Sequence, residues 1–291
     1  MSTDKLNLAS VDGWDSTPVE SAEALLSALL ELRGRRWLFR GQSRPHGTIF
    51  PSIDRCPMEK FERVQKLALE RQSIDTFRSA AKVFGHPGEE VARVDDIIAL
   101  AVLRHYGTRT RLLDWSRSPH VAAFFAACSN LDADGEVWAF DEPLYEPEGH
   151  KQWQKWPECT VDGDGQTFQA HLTAFLAEEP PDWFICVFYD HLLAPQLNAF
   201  PRQVAQSGAY SMTARFGQDH AVHIARLLGD DSHCKRFVLP AQQKPDVLRQ
   251  LLEKHGIWRG ALYPDAAGAA ETAGALFPRC PTMCAPHERK Q

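Results

Sequence analysis

Hydrophobic residues return along this chain at two spacings, one helical and one alternating, and most of its elements follow from them. Leu25, Ala28, Leu29 and Leu32 share one face at helical spacing after Ser16-Thr17-Pro18 with Glu20, which reads as a helix start that Gly34 later ends. Trp37-Leu38-Phe39 is an apolar strand run broken by Arg40 and Gly41. Phe61, Val64, Leu67, Ile74 and Phe77 approximate a 3.6-residue period, which predicts one long helix over residues 58–83 with a solvated, charged opposite face. Residues 94–105 predict another helix after a turn at Gly85–Gly88, and residues 243–255 one more that Gly256 stops. Strands are expected near 37, 137, 185, 210, 237 and 260, with Trp183–Tyr189 apolar enough to be central.

Residues 103–127 break this regularity. Ser118-Pro119 is a capping pair that opens an apolar helix through Val121, Phe124 and Phe125. Upstream, His105, Tyr106, Arg109, Arg111, Asp114, Trp115 and Arg117 alternate with Gly and Thr, which reads as a polar, aromatic-lined loop pinned to that helix. Two further polar clusters stand apart from it, Arg40-Gly41-Gln42 and Asn198 to Tyr210. The expected architecture is α+β in a single domain over residues 16–275, with a mostly antiparallel, bent or split sheet and helices on the N-terminal side. Residues 1–15 are expected to be a flexible N-terminus and 276–291 a C-terminal tail. Residues 141–182, rich in proline and carrying Asp162-Gly163-Asp164-Gly165, Trp153 and Trp156, read as an insertion or flap.

Composition narrows the function classes. A formal charge of −6 on 291 residues argues against a surface coated for nonspecific nucleic-acid binding. The arginines are clustered all the same, at 33, 35, 36, 40 and 44 and again between 104 and 117, which points to a local anionic ligand. Seven scattered cysteines without a CxxC pair read as reduced thiols, and acids and histidines lack metal-ligand spacing. No apolar run reaches membrane-spanning length and no signal peptide opens the chain, so a cytoplasmic location without membrane contact is expected, the oligomeric state staying open.

Three of these pieces carry a resemblance. Leu38-Phe39-Arg40-Gly41-Gln42, the string His105-Tyr106-Gly107-Thr108-Arg109-Thr110-Arg111-Leu112-Leu113-Asp114-Trp115-Ser116-Arg117-Ser118-Pro119, and Arg202-x-x-x-Gln206-x-Gly208 resemble the FRG domain, a bacterial family, over about residues 20–270. The order of those motifs is similar to ADP-ribosyltransferases, whose site forms around NAD across a split, mostly antiparallel sheet. The resemblance implies an NAD-consuming transferase with no metal, a toxin or antiphage effector, whose acceptor is a nucleic-acid base, DNA above RNA.

On that implication Arg40, Asp114 and Gln206 are the catalytic candidates. Arg40, Gly41, Gln42, His105, Tyr106, Thr108, Arg111, Trp115, Ser118 and Arg202 are the NAD-binding ones. Arg40 would clamp phosphate or ribose by charge-assisted hydrogen bonds, Gly41 would let the dinucleotide approach, and Tyr106 and Trp115 would stack on a ring. Gln206 departs from the glutamate that many of those transferases carry, and an amide cannot take a proton. Each assignment has a structural alternative: Asp114 tying down an arginine, Ser118 only capping its helix, His105 complementing a helix end, Trp115 packing in the core. The same arginines would also suit a non-catalytic nucleotide- or nucleic-acid-binding module.

Overall fold

The computed structural model describes residues 13–32, 36–84, 96–144, 185–188, 200–213, 215–229 and 231–274. Seven strands, β1 (Asp15–Pro18), β2 (Trp37–Gln42), β3 (Leu112–Ser116), β4 (Gly135–Asp141), β5 (Ile185–Phe188), β6 (Gly208–Thr213) and β7 (Cys234–Leu239), form one sheet in the order β1-β7-β4-β2-β3-β6-β5. Among the described strands only β1 and β7 run parallel, so the fold is mixed α/β around a mostly antiparallel sheet.

Helices flank it: α1 (Ala22–Glu31), α2 (Arg63–Phe84), α3 (Asp96–His105), α4 (Pro119–Ala127), α5 (Pro201–Ala205), α6 (His220–Leu228), α7 (Lys244–His255), α8 (Arg259–Leu262) and α9 (Ala266–Gly274). Among the described residues no helix is long and apolar enough to cross a membrane.

Alternation along β2 feeds two cores, because successive side chains leave opposite faces of a strand. Trp37 and Phe39 join Leu25, Val121, Ala126 and Leu251 under α1, α4 and α7. Leu38 points the other way, to Trp14, Trp115, Trp138 and Ile224 beneath α6. The alanines of α4 let it lie directly on the sheet: a Cβ added at Gly41 would come 1.9 Å from the Ala122 carbonyl, and one at Gly135 would come 2.3 Å from that of Ala126. These glycines are needed for helix-to-strand contact. The reading of Gly41 as room for a dinucleotide gives way to that one.

Several other expectations change. Asp15–Pro18 is a strand rather than a helix start, held by parallel register with β7, and the helix begins at Ala22 behind a Ser21 cap. Trp14, assigned to the loose start, is buried. The polar loop before Ser118 contains β3, whose Leu113 and Trp115 enter the core while Asp114 and Ser116 alternate away from them. The apolar β5 stands at an end of the sheet, not its centre. Residues near 260 form the short helix α8 instead of a strand.

The charged face of α2 is only partly solvated. Lys66 is buried against Asp54 at 2.7 Å, and Glu70 against Arg111 at 2.6 Å. The turn at 85–88, Trp153, Trp156, the Asp-Gly-Asp-Gly stretch and the C-terminal tail lie outside the described residues.

One buried cation fastens the edge of the structure. Lys244 Nζ donates to the carbonyls of Ser43, Ser129 and Asn130 at 2.7, 3.1 and 2.9 Å, tying two loops to the start of α7.

Candidate functional site

The sheet is stitched unevenly. β2 and β4 share six registered pairs, but β2 and β3 share one, Phe39 with Ser116. Past that pair the ladder stops, and the Asp114 carbonyl accepts from Arg40 Nη1 at 2.7 Å. A cavity of about 390 Å³ lies at this seam. Arg40, Asp114 and Ser116 reach it from the strands, Arg104, His105 and Tyr106 from the end of α3, and Phe125 from α4. Arg202, Gln206 and Tyr263 close the far wall.

Its charge is predominantly positive. Asp114 Oδ2 accepts from Arg104 at 2.7 Å from Nε and 2.5 Å from Nη2, and the Asp114 side chain stays 41% exposed toward the cleft. Burial would raise the Asp114 carboxyl, but Arg104, with Arg40 and His105 behind it, outweighs that and holds it below its ordinary value. Arg40 is 9% exposed, and burial together with the neighbouring Arg55 pulls its guanidinium down to about 9, which leaves it cationic at neutral pH. Its Nε has no hydrogen-bond partner among the described residues. A buried, charged donor left unpaired costs on the order of 1–3 kcal/mol or more, so an anion is the ligand such a cleft selects.

The far wall is an interlocked group. The Arg202 guanidinium is paired with the Asp265 carboxylate, donates to the His105 carbonyl at 2.9 Å, and lies 5.1 Å from the Tyr106 ring and 4.9 Å from the Tyr263 ring. His105 Nε2 is 2.8 Å from Gln203 Oε1 and 2.9 Å from the Tyr210 hydroxyl, and burial lowers its pKa despite Asp114 nearby. Gln206 Nε2 donates to the Leu262 carbonyl at 3.0 Å, while the main-chain carbonyl of Gln206 accepts from Ser116 Oγ at 2.7 Å. Two tyrosines flanking an arginine offer planar faces for a ring.

The structure therefore brings Arg40, Gly41, His105, Tyr106, Asp114, Trp115, Arg202 and Gln206 to one cleft. Trp115 reaches it only at its edge: its indole is 3% exposed, donates to Ser211 Oγ at 2.8 Å and packs edge-on against Phe140, so the core role prevails over stacking.

Four candidates lie elsewhere. Gln42 stands opposite Glu136 in the β2–β4 register and donates to its carboxylate at 2.9 Å. Arg111 is buried against Glu70 with Phe216 over it at 4.4 Å. Thr108 sits in the turn after α3, its N–H on the Leu103 carbonyl. Ser118 accepts from Val121 N as the cap of α4.

Among the described residues several of the clustered arginines are held in ion pairs. Arg36 and Arg117 both pair with Glu142, Arg44 with Asp132 and Arg111 with Glu70, while Arg33 and Arg35 lie outside the described residues. Arg104, Ser116, Phe125 and Tyr263 line the cleft in addition to the residues expected from the motifs. Arg104 has a signal in its place beside His105 at a helix end, and Tyr263 in the string Leu262-Tyr263-Pro264-Asp265, whose similarity to the FRG family gives it no role in the site; in the structure it lies 4.9 Å from the Arg202 guanidinium. Among the described residues no group of three or more His, Cys, Asp or Glu could hold a metal ion.

Residues 35–135 match the family model of the FRG domain. Over this span, about a third of its length, the chain is similar to the FRG domain. The matched span of the FRG domain holds Arg40, Arg104 and Asp114, whereas Arg202, Gln206 and Tyr263 come from beyond it. No curated protein and no solved structure matches this chain.

Proposed function

We propose that the FRG-domain cleft binds NAD and transfers its ADP-ribose to an acceptor, with release of nicotinamide. The observation that carries this reading is the gap between β2 and β3, where an underpaired cation, a carboxylate and aromatic faces meet over one cavity. It accords with the split sheet that the motif order implies.

In this reading Arg40 and its neighbour Arg55 neutralise the pyrophosphate, and Tyr263 or Tyr106 stacks on the nicotinamide. As the bond between ribose C1′ and the nicotinamide nitrogen breaks, its electron pair leaves with nicotinamide and the sugar becomes positively charged. Asp114, held ionised by Arg104, opposes that charge electrostatically. The same partner makes it a weak base, so the proton lost by the acceptor passes to solvent or to a group the acceptor brings. Gln206, its amide fixed on Leu262, offers its oxygen to a ribose hydroxyl. The acceptor in this proposal is a nucleic-acid base, and a toxin or antiphage role follows from such an activity.

A non-catalytic nucleotide-binding module is the second reading. It is favoured by Asp114 being committed to Arg104 and by the amide at position 206. Purified protein incubated with NAD, alone and with DNA, RNA or protein, separates the two through free nicotinamide. The transferase reading expects release in at least one arm and its loss in Arg40→Ala; silence in all arms, with NAD still bound, hands the cleft to the second reading.

A further inference from the structure

Three N–H groups on the α6 side of the seam have no acceptor among the described residues: Arg40 Nε, Arg55 Nη2 and His220 Nε2. That His220 Nε2 carries the proton follows from its neighbours. Trp115 Nε1 can only donate, and it does so to Ser211 Oγ at 2.8 Å. Among the described residues the Ser211 hydrogen has one acceptor in reach, His220 Nδ1 at 2.7 Å, and the arrangement that satisfies it makes Nδ1 the acceptor and places the ring hydrogen on Nε2. His220 is fully buried, and burial, with His223, Arg40 and Arg55 adding to it, pushes its pKa down to about 3. It is a neutral donor at any ordinary pH.

The three groups are tethered to adjoining points of the backbone. His220 N donates to the Ile49 carbonyl at 3.0 Å and Arg55 Nε to the next one, of Phe50, at 2.8 Å. Arg40 leaves β2 on the face of Leu38, the face that α6 covers, and is fixed to the Asp114 carbonyl. Asp114 follows Leu113, whose register partner is Ser211, the residue that orients His220.

The charges around this point are Arg40, Arg55, Arg104 and Arg109 against Asp114, which is committed to Arg104. Of the other nearby acids, Glu136 is spent on Gln42 and Arg236, while Asp54 pairs with Lys66 through Oδ1 and keeps Oδ2 without a partner among the described residues. Two guanidinium donors and one imidazole donor, none of them paired with an acceptor among the described residues, call for a ligand made of acceptor oxygens and carrying negative charge.

We propose that Arg40, Arg55 and His220 form an oxyanion site for a phosphoryl group, reached from the cleft that Arg40 lines. Arg55 and His220 belong to none of the three sequence motifs, and the site requires no bond in NAD to break. The phosphoryl group is that of free phosphate or of a nucleotide diphosphate, and titration separates them.

Isothermal titration in a phosphate-free buffer with inorganic phosphate, pyrophosphate and ADP-ribose tests the site without NAD turnover. Wild type is expected to bind at least one, with affinity falling tenfold or more in Arg55→Gln and in His220→Phe. Binding of phosphate alone assigns the site to the free ion; binding of ADP-ribose without phosphate assigns it to the nucleotide. No binding of any of the three overturns the proposal, as does binding that Arg55→Gln leaves unchanged. Should His220→Phe fail to give a wild-type melting curve, the half-buried Arg55→Gln alone decides.

Discussion

Glu136 and Asp114 are carboxylates on inner strands of one sheet, each beside an arginine, and their surroundings differ in kind. Glu136 is fully buried between strands that pair along six residues on both sides; it accepts from Gln42, the His46 N–H and Arg236 at 2.9, 3.2 and 2.8 Å. Asp114 stands where the ladder to β2 has shrunk to one pair, is 41% exposed, and neighbours an arginine whose Nε lacks a partner. Arg40 and Gln42, two residues apart on β2, are drawn one to each region. A charge whose hydrogen bonds close on themselves holds the sheet together, while one with bonding capacity left over at a break in the ladder is available to a ligand.

That contrast can be broken most directly at Glu136. Glu136→Ala would strand Arg236, itself 3% exposed, together with the Gln42 amide and the His46 N–H, and should cost about 3–5 kcal/mol in urea unfolding. A wild-type midpoint would erase the distinction between the two regions. Next in size, Gly41→Ala places a methyl 1.9 Å from the Ala122 carbonyl and 2.6 Å from the Ala126 nitrogen. Neither atom is the end of a flexible side chain, so a loss of roughly 1–3 kcal/mol or more is expected by the same measurement. A cost of only a few tenths would mean that α4 slides on β2 without penalty.

The pH response sharpens the comparison further. His220 has a folded pKa of about 3, far below the roughly 6.5 of an unfolded histidine, so the unfolded chain takes up the proton first. Stability is therefore complete above about pH 6.5 and falls toward pH 3, by up to roughly 1.4 kcal/mol per pH unit from this group. Denaturant titrations at pH 7 and pH 5 should show a shallower slope in His220→Gln; parallel slopes would remove His220 as the cause. The smallest effect is expected from Arg40→Ala. Losing one hydrogen bond while relieving a buried charge should leave stability within about 1 kcal/mol of wild type, although anion binding disappears. A loss comparable to that of Glu136→Ala would make Arg40 a structural residue.

The sequence made local features legible and long-range ones not. Ser118 capping and Pro119 opening α4, and Gly256 closing α7 in a left-handed conformation, are consequences of nearest neighbours, and all are present. So is the clustering of Arg40, Asp114, Arg202 and Gln206, which the motifs grouped without a map of the sheet. β3 escaped because a strand bordering a cleft keeps polar residues on one face, which breaks the apolar run by which strands are recognised. β5 misled in the opposite sense, since an apolar composition does not encode strand order. Lys66 and Glu70 looked solvated because their partners, Asp54 and Arg111, are distant in sequence. Ser118 has the hydroxyl of a ligand residue but uses it for the cap of its own helix, and Arg55 and His220 show no signal in the sequence because only the fold leaves their donors without a partner among the described residues.

Lys244 extends the same logic to mechanics. Its ammonium occupies the position that a sodium or potassium ion takes where backbone oxygens converge, but this cation is covalently tethered to α7. The junction of the two loops is thus indifferent to dissolved salt and cannot be stripped by a chelator. A side chain too short to span the distance would leave an electronegative hollow of ionic size, turning a permanent rivet into a vacancy that a monovalent ion could fill.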